Sequence, residues 1–123
     1  MANDKEVTEV FEHFANDIPG FIGASLVDLD SGMTLAVKAS RPDFDLAVAS
    51  AYNSELVKQK MKIMKALNLK TNLEDMILTL GDQIHFLRIV SPTMFIYLAA
   101  ERSVANIAIV RTVVNKHAAR VMD

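Results

Sequence analysis

One short stretch of the chain carries side chains that could bind a metal or perform catalysis. It reads SLVDLDSGMTLAV over residues 25–37, with Asp28, Asp30 and Ser31 close together and followed by Gly32. Two aspartates at alternate positions could begin a calcium loop. Asp30-Ser31-Gly32 could also be the D-S-G of an aspartic protease, in which two aspartates share a proton. The third alternative is that these residues form the turn of a β-hairpin.

Spacing favours the turn. A calcium loop of the EF type needs oxygen ligands at successive alternate positions and a glutamate at its end. Counted from Asp28, the third alternate position is Gly32 and the last position is Ala39. Aspartic proteases consist almost wholly of strands, whereas a long helix is predicted directly after this hairpin. A turn requires only Asp30 and Ser31 at the corner and a glycine that adopts a positive φ.

Other catalytic and metal-binding patterns are missing from the sequence. The 3 histidines, His13, His85 and His117, fall on different predicted elements without ligand spacing. The absence of cysteine excludes thiol catalysis, thiolate zinc sites and disulfides. The glycines form no phosphate-binding loop, and no serine has a glycine-flanked elbow. We therefore predict no catalytic residue, no metal ligand and no cofactor, and a protein that is not an enzyme.

Composition predicts a single domain over residues 1–123, since 123 residues suit one hydrophobic core. A net charge of −2 creates no general attraction for nucleic acid. The longest uncharged run, Ile89 to Ala100, is too short to span a membrane, and the charged N-terminus lacks a signal core. We expect a cytoplasmic protein. The apolar fraction of 51% favours a core together with a permanent interface.

The hydrophobic periodicity predicts an α+β domain in the order α-β-β-α-β-β-β-α with an antiparallel sheet. The final segment, SVANIAIVRTVVNKHAARVM, is rich in β-branched residues, but its length favours a helix, with Ser103 as its cap. The predicted helices are Asn3–Asn16, Asp43–Asn68 and this final segment. The predicted strands are Phe21–Leu29, Met33–Lys38, Leu73–Leu80, Gln83–Val90 and Met94–Ala100.

The long helix has more apolar surface than a sheet can cover. A broad stripe from Leu46 to Leu67, which includes Tyr52 and Leu56, takes up close to half of its circumference. On the opposite side, the start of the helix carries further apolar or small residues, so it needs two neighbours. Those residues are Phe44, Ala47, Val48 and Ala51.

The same helix carries a basic stripe. Lys58, Lys62 and Lys65 line up at helical spacing. Such a stripe is either a solvated face or a docking surface for an acidic partner.

Three segments together resemble the Roadblock domains of the dynein light-chain type, from Val7 onward. IPGFIGASLVDLDSGMTLA is similar to the family's opening helix end and hairpin. ILTLGDQIHFLRIV resembles its central strand-turn-strand, and FIYLAAERSVANIAIVR resembles its last strand and final helix. The resemblance implies a profilin-like fold, with a five-stranded antiparallel sheet of order 2-1-5-4-3 flanked by helices.

The resemblance also implies a homodimer joined through the third strands and the long helices. We assign seven residues to that interface: Phe44, Ala47, Val48, Ala51, Ser54, Met76 and Leu78. Small stand-alone members of the family often pair with a Ras-like GTPase. The resemblance therefore implies a regulator of GTP hydrolysis or a scaffold for such a GTPase, with Lys58, Lys62 and Lys65 as the docking stripe. A small-molecule sensor is the alternative function, because profilin-like sheets also carry ligand pockets.

Overall fold

A computed structural model describes residues 3–121 and confirms the predicted order of elements. The predicted final helix extends to Met122, which lies outside these residues. The helices are α1 (Asp4–Asp17), α2 (Leu46–Ala66) and α3 (Ile107–Ala118). The strands are β1 (Phe21–Asp28), β2 (Thr34–Ala39), β3 (Asp75–Thr79), β4 (Gln83–Ser91) and β5 (Met94–Glu101).

The strands form one antiparallel sheet in the order β2-β1-β5-β4-β3. This is the order that the family resemblance implies. The central strands β1 and β5 are buried along nearly their whole length, because helices cover both faces. The edges are β2 and β3.

The core has two layers, one on each face of the sheet. Against one face, α1 and α3 pack through Phe11, Phe14, Val110 and Val114. Against the other face, α2 packs mainly over β1 and β2. The larger buried residues on the α2 side of the sheet come from its central strands: Ile22, Val27, Leu87, Phe95 and Tyr97.

Side-chain caps fix the helix starts. Asn3 accepts a hydrogen bond from the Glu6 amide at 2.9 Å. At α2, Asp45 accepts from the Val48 amide at 3.0 Å, so the helix begins after Asp45 rather than at Asp43.

The prediction that Ser103 caps the final helix is wrong. Asn106 is the cap, because its side-chain oxygen accepts from the amides of Ala108 at 2.8 Å and Ile109 at 3.2 Å. Such an amide side chain satisfies two of the free N–H groups at a helix start.

The stretch from Asp28 to Gly32 forms the predicted hairpin turn. Gly32 has φ +74, the left-handed conformation that glycine accepts most readily. Asp28, rather than Asp30, holds the turn: its carboxylate accepts from the Ser31 hydroxyl at 2.6 Å and from the Ser31 amide at 2.9 Å. The hydrogen bond from the Ser31 hydroxyl lowers the pKa of Asp28, with a smaller effect from the Ser31 amide.

Candidate interaction surface

The face of α2 that lies against the sheet is small and partly polar. Its buried residues are Leu46, Ser50, Ser54 and Val57. The Ser50 hydroxyl donates to the Leu46 carbonyl at 2.6 Å and lies 2.8 Å from the Ser25 hydroxyl on β1. These side chains place the helix axis close to the sheet, and the buried hydroxyls are satisfied.

Large apolar residues of α2 point away from the sheet instead. We call this surface the α2 ridge, and it consists of Val48, Tyr52, Leu56, Ile63 and Leu67. Tyr52 is 75% exposed and Leu67 is 63% exposed. The stripe from Leu46 to Leu67 is therefore divided, because Leu46 and Val57 are buried whereas Tyr52, Leu56, Ile63 and Leu67 are exposed. A contiguous exposed apolar surface of this kind is typical of an interaction site.

The β1–β2 turn marks which side of α2 faces β2. A Cβ on Gly32 would lie 3.3 Å from Ala51 Cα, and Lys58 Nζ donates to the Asp30 carbonyl at 3.2 Å. Helical geometry places Tyr52, Leu56 and Ile63 on the other side of α2. The ridge therefore faces outward and towards the half of the sheet that contains β4 and β3.

That half of the sheet is incompletely covered. Met76 and Leu78 on β3 and Ile89 on β4 are only half-buried, although they pack against the same cluster as the fully buried Tyr97. Within residues 3–121, β3 pairs only with β4, so its outer edge has no strand partner. An uncharged edge such as Met76-Ile77-Leu78 favours pairing with another strand. The α2 ridge and the β3 edge thus border one open space.

The predicted interface residues are distributed unevenly around this space. Phe44, Met76 and Leu78 are half-buried in the α2-side cluster, and Val48 lies on the ridge. Ala47 and Ala51 are exposed, but Ala51 lies beside the β1–β2 turn.

Ser54 is a correction to the sequence prediction. It is 1% exposed in the protomer, and its hydroxyl lies 2.8 Å from the position of a Cβ on Gly32. It therefore contacts the hairpin turn within the protomer and does not lie on a surface that a partner can reach.

The basic stripe lies on the β2 side of α2. Lys62 and Lys65 are exposed, whereas Lys58 is half-buried and forms an ion pair with Glu55 at 3.2 Å. Lys58 thus has a structural contact with the hairpin turn, and Lys62 and Lys65 are its freely exposed members. The stripe and the α2 ridge occupy different sides of the same helix.

Comparison with solved structures identifies the architecture. The fold superposes on MglB of Myxococcus xanthus with a TM-score of 0.85, at 12% identity over 98% of this chain and 90% of that one. It superposes on gliding protein MglB of Thermus thermophilus with a TM-score of 0.83, at 14% identity over 95% and 86% of the two chains. A Roadblock/LC7 domain of Streptomyces avermitilis gives a TM-score of 0.79, at 15% identity over 98% and 95%.

The chain has the Roadblock fold. No protein-family profile matches the sequence, and no curated protein matches it. The structural likeness therefore establishes the Roadblock fold and leaves the function to be argued from the surface of this chain. Among residues 3–121 of this Roadblock fold, none of the helices is both long and apolar enough to cross a membrane.

A polar cluster lies inside the Roadblock fold near the start of α2. The Gln83 side-chain oxygen accepts a hydrogen bond from His85 Nε2 at 2.7 Å, so the proton of the neutral ring is on Nε2. His85 Nδ1 is then the acceptor for the Tyr97 hydroxyl, 3.2 Å away. Phe44 meets the His85 ring edge-on at 6.3 Å. Burial lowers the pKa of His85, with Asp82 opposing the shift, and burial raises the pKa of Tyr97. This cluster therefore contacts Phe44, one of the predicted interface residues.

A cleft between α2 and β4 bears on the sensor alternative. It has a volume of about 460 Å³ and its polar side chains are Asn72 and Ser91. The remaining lining is apolar: Met61, Leu73, Ile89, Val90 and Pro92. A specific ligand site combines an apolar wall with several converging polar groups, so this cleft offers a ligand little to orient it.

The fold also brings together residues that the sequence separates. His13 on α1 and His117 on α3 stack with ring centroids 4.3 Å apart. Sequence spacing did not predict this pair, because the two helices are distant along the chain and pack against each other only in the folded protein. Helical periodicity, which places His117 next to the buried residues Val114 and Ala118, was the one signal that could have found it.

Proposed function

We propose that the protein is a non-enzymatic homodimeric interaction module that regulates or scaffolds a Ras-like small GTPase. The observation that carries this proposal is the open space bordered by the α2 ridge and the β3 edge. A second copy fills such a space symmetrically, with β3 against β3 and α2 against α2. The two five-stranded sheets then become one continuous sheet.

The burial pattern supports a second copy rather than a monomer in water. The α2 ridge exposes large side chains, and the α2-facing residues of β3 are only half-buried. An obligate interface resembles a core cut in half and buries on the order of 2,000 Å² or more in total. A similar solved structure is that of MglB with a tetrameric arrangement, so self-association occurs in a protein of this fold.

The partner class rests on the family resemblance, since small stand-alone Roadblock proteins often pair with a Ras-like GTPase. The exposed Lys62 and Lys65 supply a physical reason for attraction to an acidic patch. They lie on the side of α2 away from the ridge and remain accessible in the proposed dimer.

Disulfide trapping tests the proposed pairing of β3 strands. The chain has no cysteine, so single substitutions at Met76, Ile77 and Leu78 give unambiguous crosslinks. A two-fold axis through an antiparallel pair places one residue opposite its own copy within disulfide reach, and a pairing centred on the middle of β3 makes that residue one of these three. We expect rapid crosslinking at one or two of them at low micromolar concentration. Thr112→Cys, exposed on α3, is the control. Crosslinking no faster than this control would contradict the β3 interface.

A hydrolysis assay tests the GTPase proposal. A Ras-like GTPase from the same genome is loaded with GTP and mixed with the protein, and complex formation and phosphate release are measured. Faster release identifies a regulator, and a complex without acceleration identifies a scaffold. If the protein binds none of the Ras-like GTPases of that genome, in either the GTP or the GDP state, the proposed partner class is contradicted. The proposed dimer is unaffected by that result.

A further inference from the structure

Three potential metal ligands converge where the C-terminal end of α1 meets the C-terminal end of α3. They are His13 and Asp17 on α1 and His117 on α3. One ligand atom from each residue lies within 4.8 Å of the others. His13 and Asp17 are four residues apart on α1, so they share one face of that helix. His117 lies near them because α1 and α3 pack side by side on the same face of the sheet.

The contacts inside the cluster are too long to be hydrogen bonds. Asp17 Oδ2 lies 3.9 Å from His13 Nδ1 and 3.9 Å from His117 Nε2. A hydrogen bond between such groups has a donor–acceptor distance near 2.7–3.2 Å. The three groups therefore surround a common point without satisfying one another.

His117 provides an independent observation. The residue is only 8% exposed, and its Nε2 atom is buried without a hydrogen-bond partner among the residues described. A buried polar atom without a protein partner is uncommon in folded proteins and points to a bound water molecule or ion. The nitrogen faces Asp17 and His13, so the ligand that would satisfy it lies within the cluster.

The chemistry of the donors selects the ligand. Two imidazoles and one carboxylate suit divalent ions of the zinc type, whereas magnesium and calcium prefer oxygen donors throughout. His13 and Asp17 are each 48% exposed at their side chains, which leaves room for water to complete a tetrahedral shell.

We propose that His13, Asp17 and His117 form a binding site for a divalent transition-metal ion, with Zn²⁺ as the ion of best fit. The two rings are parallel, at 6° to one another, so one ion cannot lie in the plane of both. The exposed His13 ring turns on binding, while the buried His117 ring stays in place. Ligand atoms then close to about 2.0–2.2 Å from the ion.

The ion would join α1 to α3 on the sheet face opposite the α2 ridge. Nearby, Arg120, just beyond the end of α3, already pairs with Glu9 on α1 at 2.7 Å. Metal binding adds a second connection and stabilises the docking of α3 without altering the α2 and β3 surfaces. This inference is independent of the proposed dimer and GTPase partner.

Calorimetric titration of the untagged, chelator-treated full chain with ZnCl₂ tests the site. We expect one Zn²⁺ per chain, a melting temperature that rises with Zn²⁺ until saturation, and no response to MgCl₂. His13→Ala and Asp17→Asn change exposed side chains, so both variants fold, and each weakens Zn²⁺ binding at least tenfold. His85→Gln is the matched control, because it removes the histidine outside the cluster and keeps full affinity.

Histidine ring NMR distinguishes this site from general surface binding. Zn²⁺ should shift the ring signals of His13 and His117 and leave those of His85 unchanged. Absence of saturable binding at one equivalent, or full affinity in His13→Ala, would overturn the proposal. Equal shifts at all the histidine rings would overturn it as well.

Discussion

The Ser25 hydroxyl on β1 lies 2.8 Å from the Ser50 hydroxyl on α2, and both side chains are fully buried. Because Ser50 donates to the Leu46 carbonyl, Ser25 is the donor in the pair. This small polar contact occupies the position where a large apolar side chain would separate helix and sheet. The exposed large apolar residues of α2 lie on its outer side, where they form the α2 ridge.

Replacing Ser50 should destabilise the protein more than replacing Ser25. Ser50→Ala leaves the buried Ser25 hydroxyl without its acceptor and should reduce the free energy of unfolding by about 1–3 kcal/mol. Ser25→Ala leaves Ser50 bonded to Leu46 and should cost about 1 kcal/mol or less. Urea unfolding of both single variants and the double variant measures the coupling. A double variant whose loss equals the sum of the two single losses would contradict a direct bond.

Asp28 and Asp30 in the hairpin turn should respond differently to substitution. Asp30→Asn should leave the melting temperature unchanged, because the exposed Asp30 contributes its backbone carbonyl rather than its carboxylate. Asp28→Ala should lower the melting temperature, because it removes the acceptor for the Ser31 amide and hydroxyl. The lowered pKa of Asp28 means that its stabilisation is present near neutral pH and is lost as the pH falls through that value. Equal melting temperatures for Asp28→Ala and Asp30→Asn would show that the Asp28 carboxylate is not needed.

The buried His85 should make stability depend on pH in a defined direction. Its pKa is lowered from 6.5, so below that pH the unfolded chain takes up the proton more readily than the folded one. The free energy of unfolding should therefore fall as the pH drops from above 6.5 through the lowered native pKa. Urea unfolding of the wild type and His85→Gln between about pH 7.5 and 5 checks this, and the variant should give the shallower slope. An identical slope would mean that His85 is not held neutral in the fold.

The element order was predictable from the sequence, whereas the orientation of α2 was not. Hydrophobic period and turn residues such as Gly32 mark where elements begin and end, so the fold class followed directly. Periodicity finds apolar faces, however, and α2 has its largest apolar residues on the outside, with Ser50 and Ser54 inside. A sequence pattern cannot tell a core face from an interface face, since both exclude water. The His13–His117 contact depends on sheet topology, which spacing along the chain does not encode.

The basic stripe should affect the rate of partner binding more than folding. Replacing the freely exposed Lys62 and Lys65 by Glu should slow association with the GTPase steeply at low salt, because charges at an interface rim act mainly through long-range attraction. The control reverses Lys5 and Lys116, which gives the same change in net charge at exposed positions elsewhere. Stopped-flow association at two ionic strengths separates the two variants. Equal slowing by both would mean that only net charge matters and that the stripe is a solvated face.

Sedimentation equilibrium at low micromolar concentration tests the central claim that the α2 ridge is a homodimer interface. We predict a mass twice the chain mass of 13.6 kDa for the wild type. The variant Tyr52→Glu with Leu56→Glu should shift it towards monomer or unfold it, because each charge would be buried without a partner in the interface. The control Thr112→Glu with Asn115→Glu, on the exposed face of α3, should remain dimeric. A wild-type monomer of 13.6 kDa, or a ridge variant that stays a folded dimer, would contradict the account.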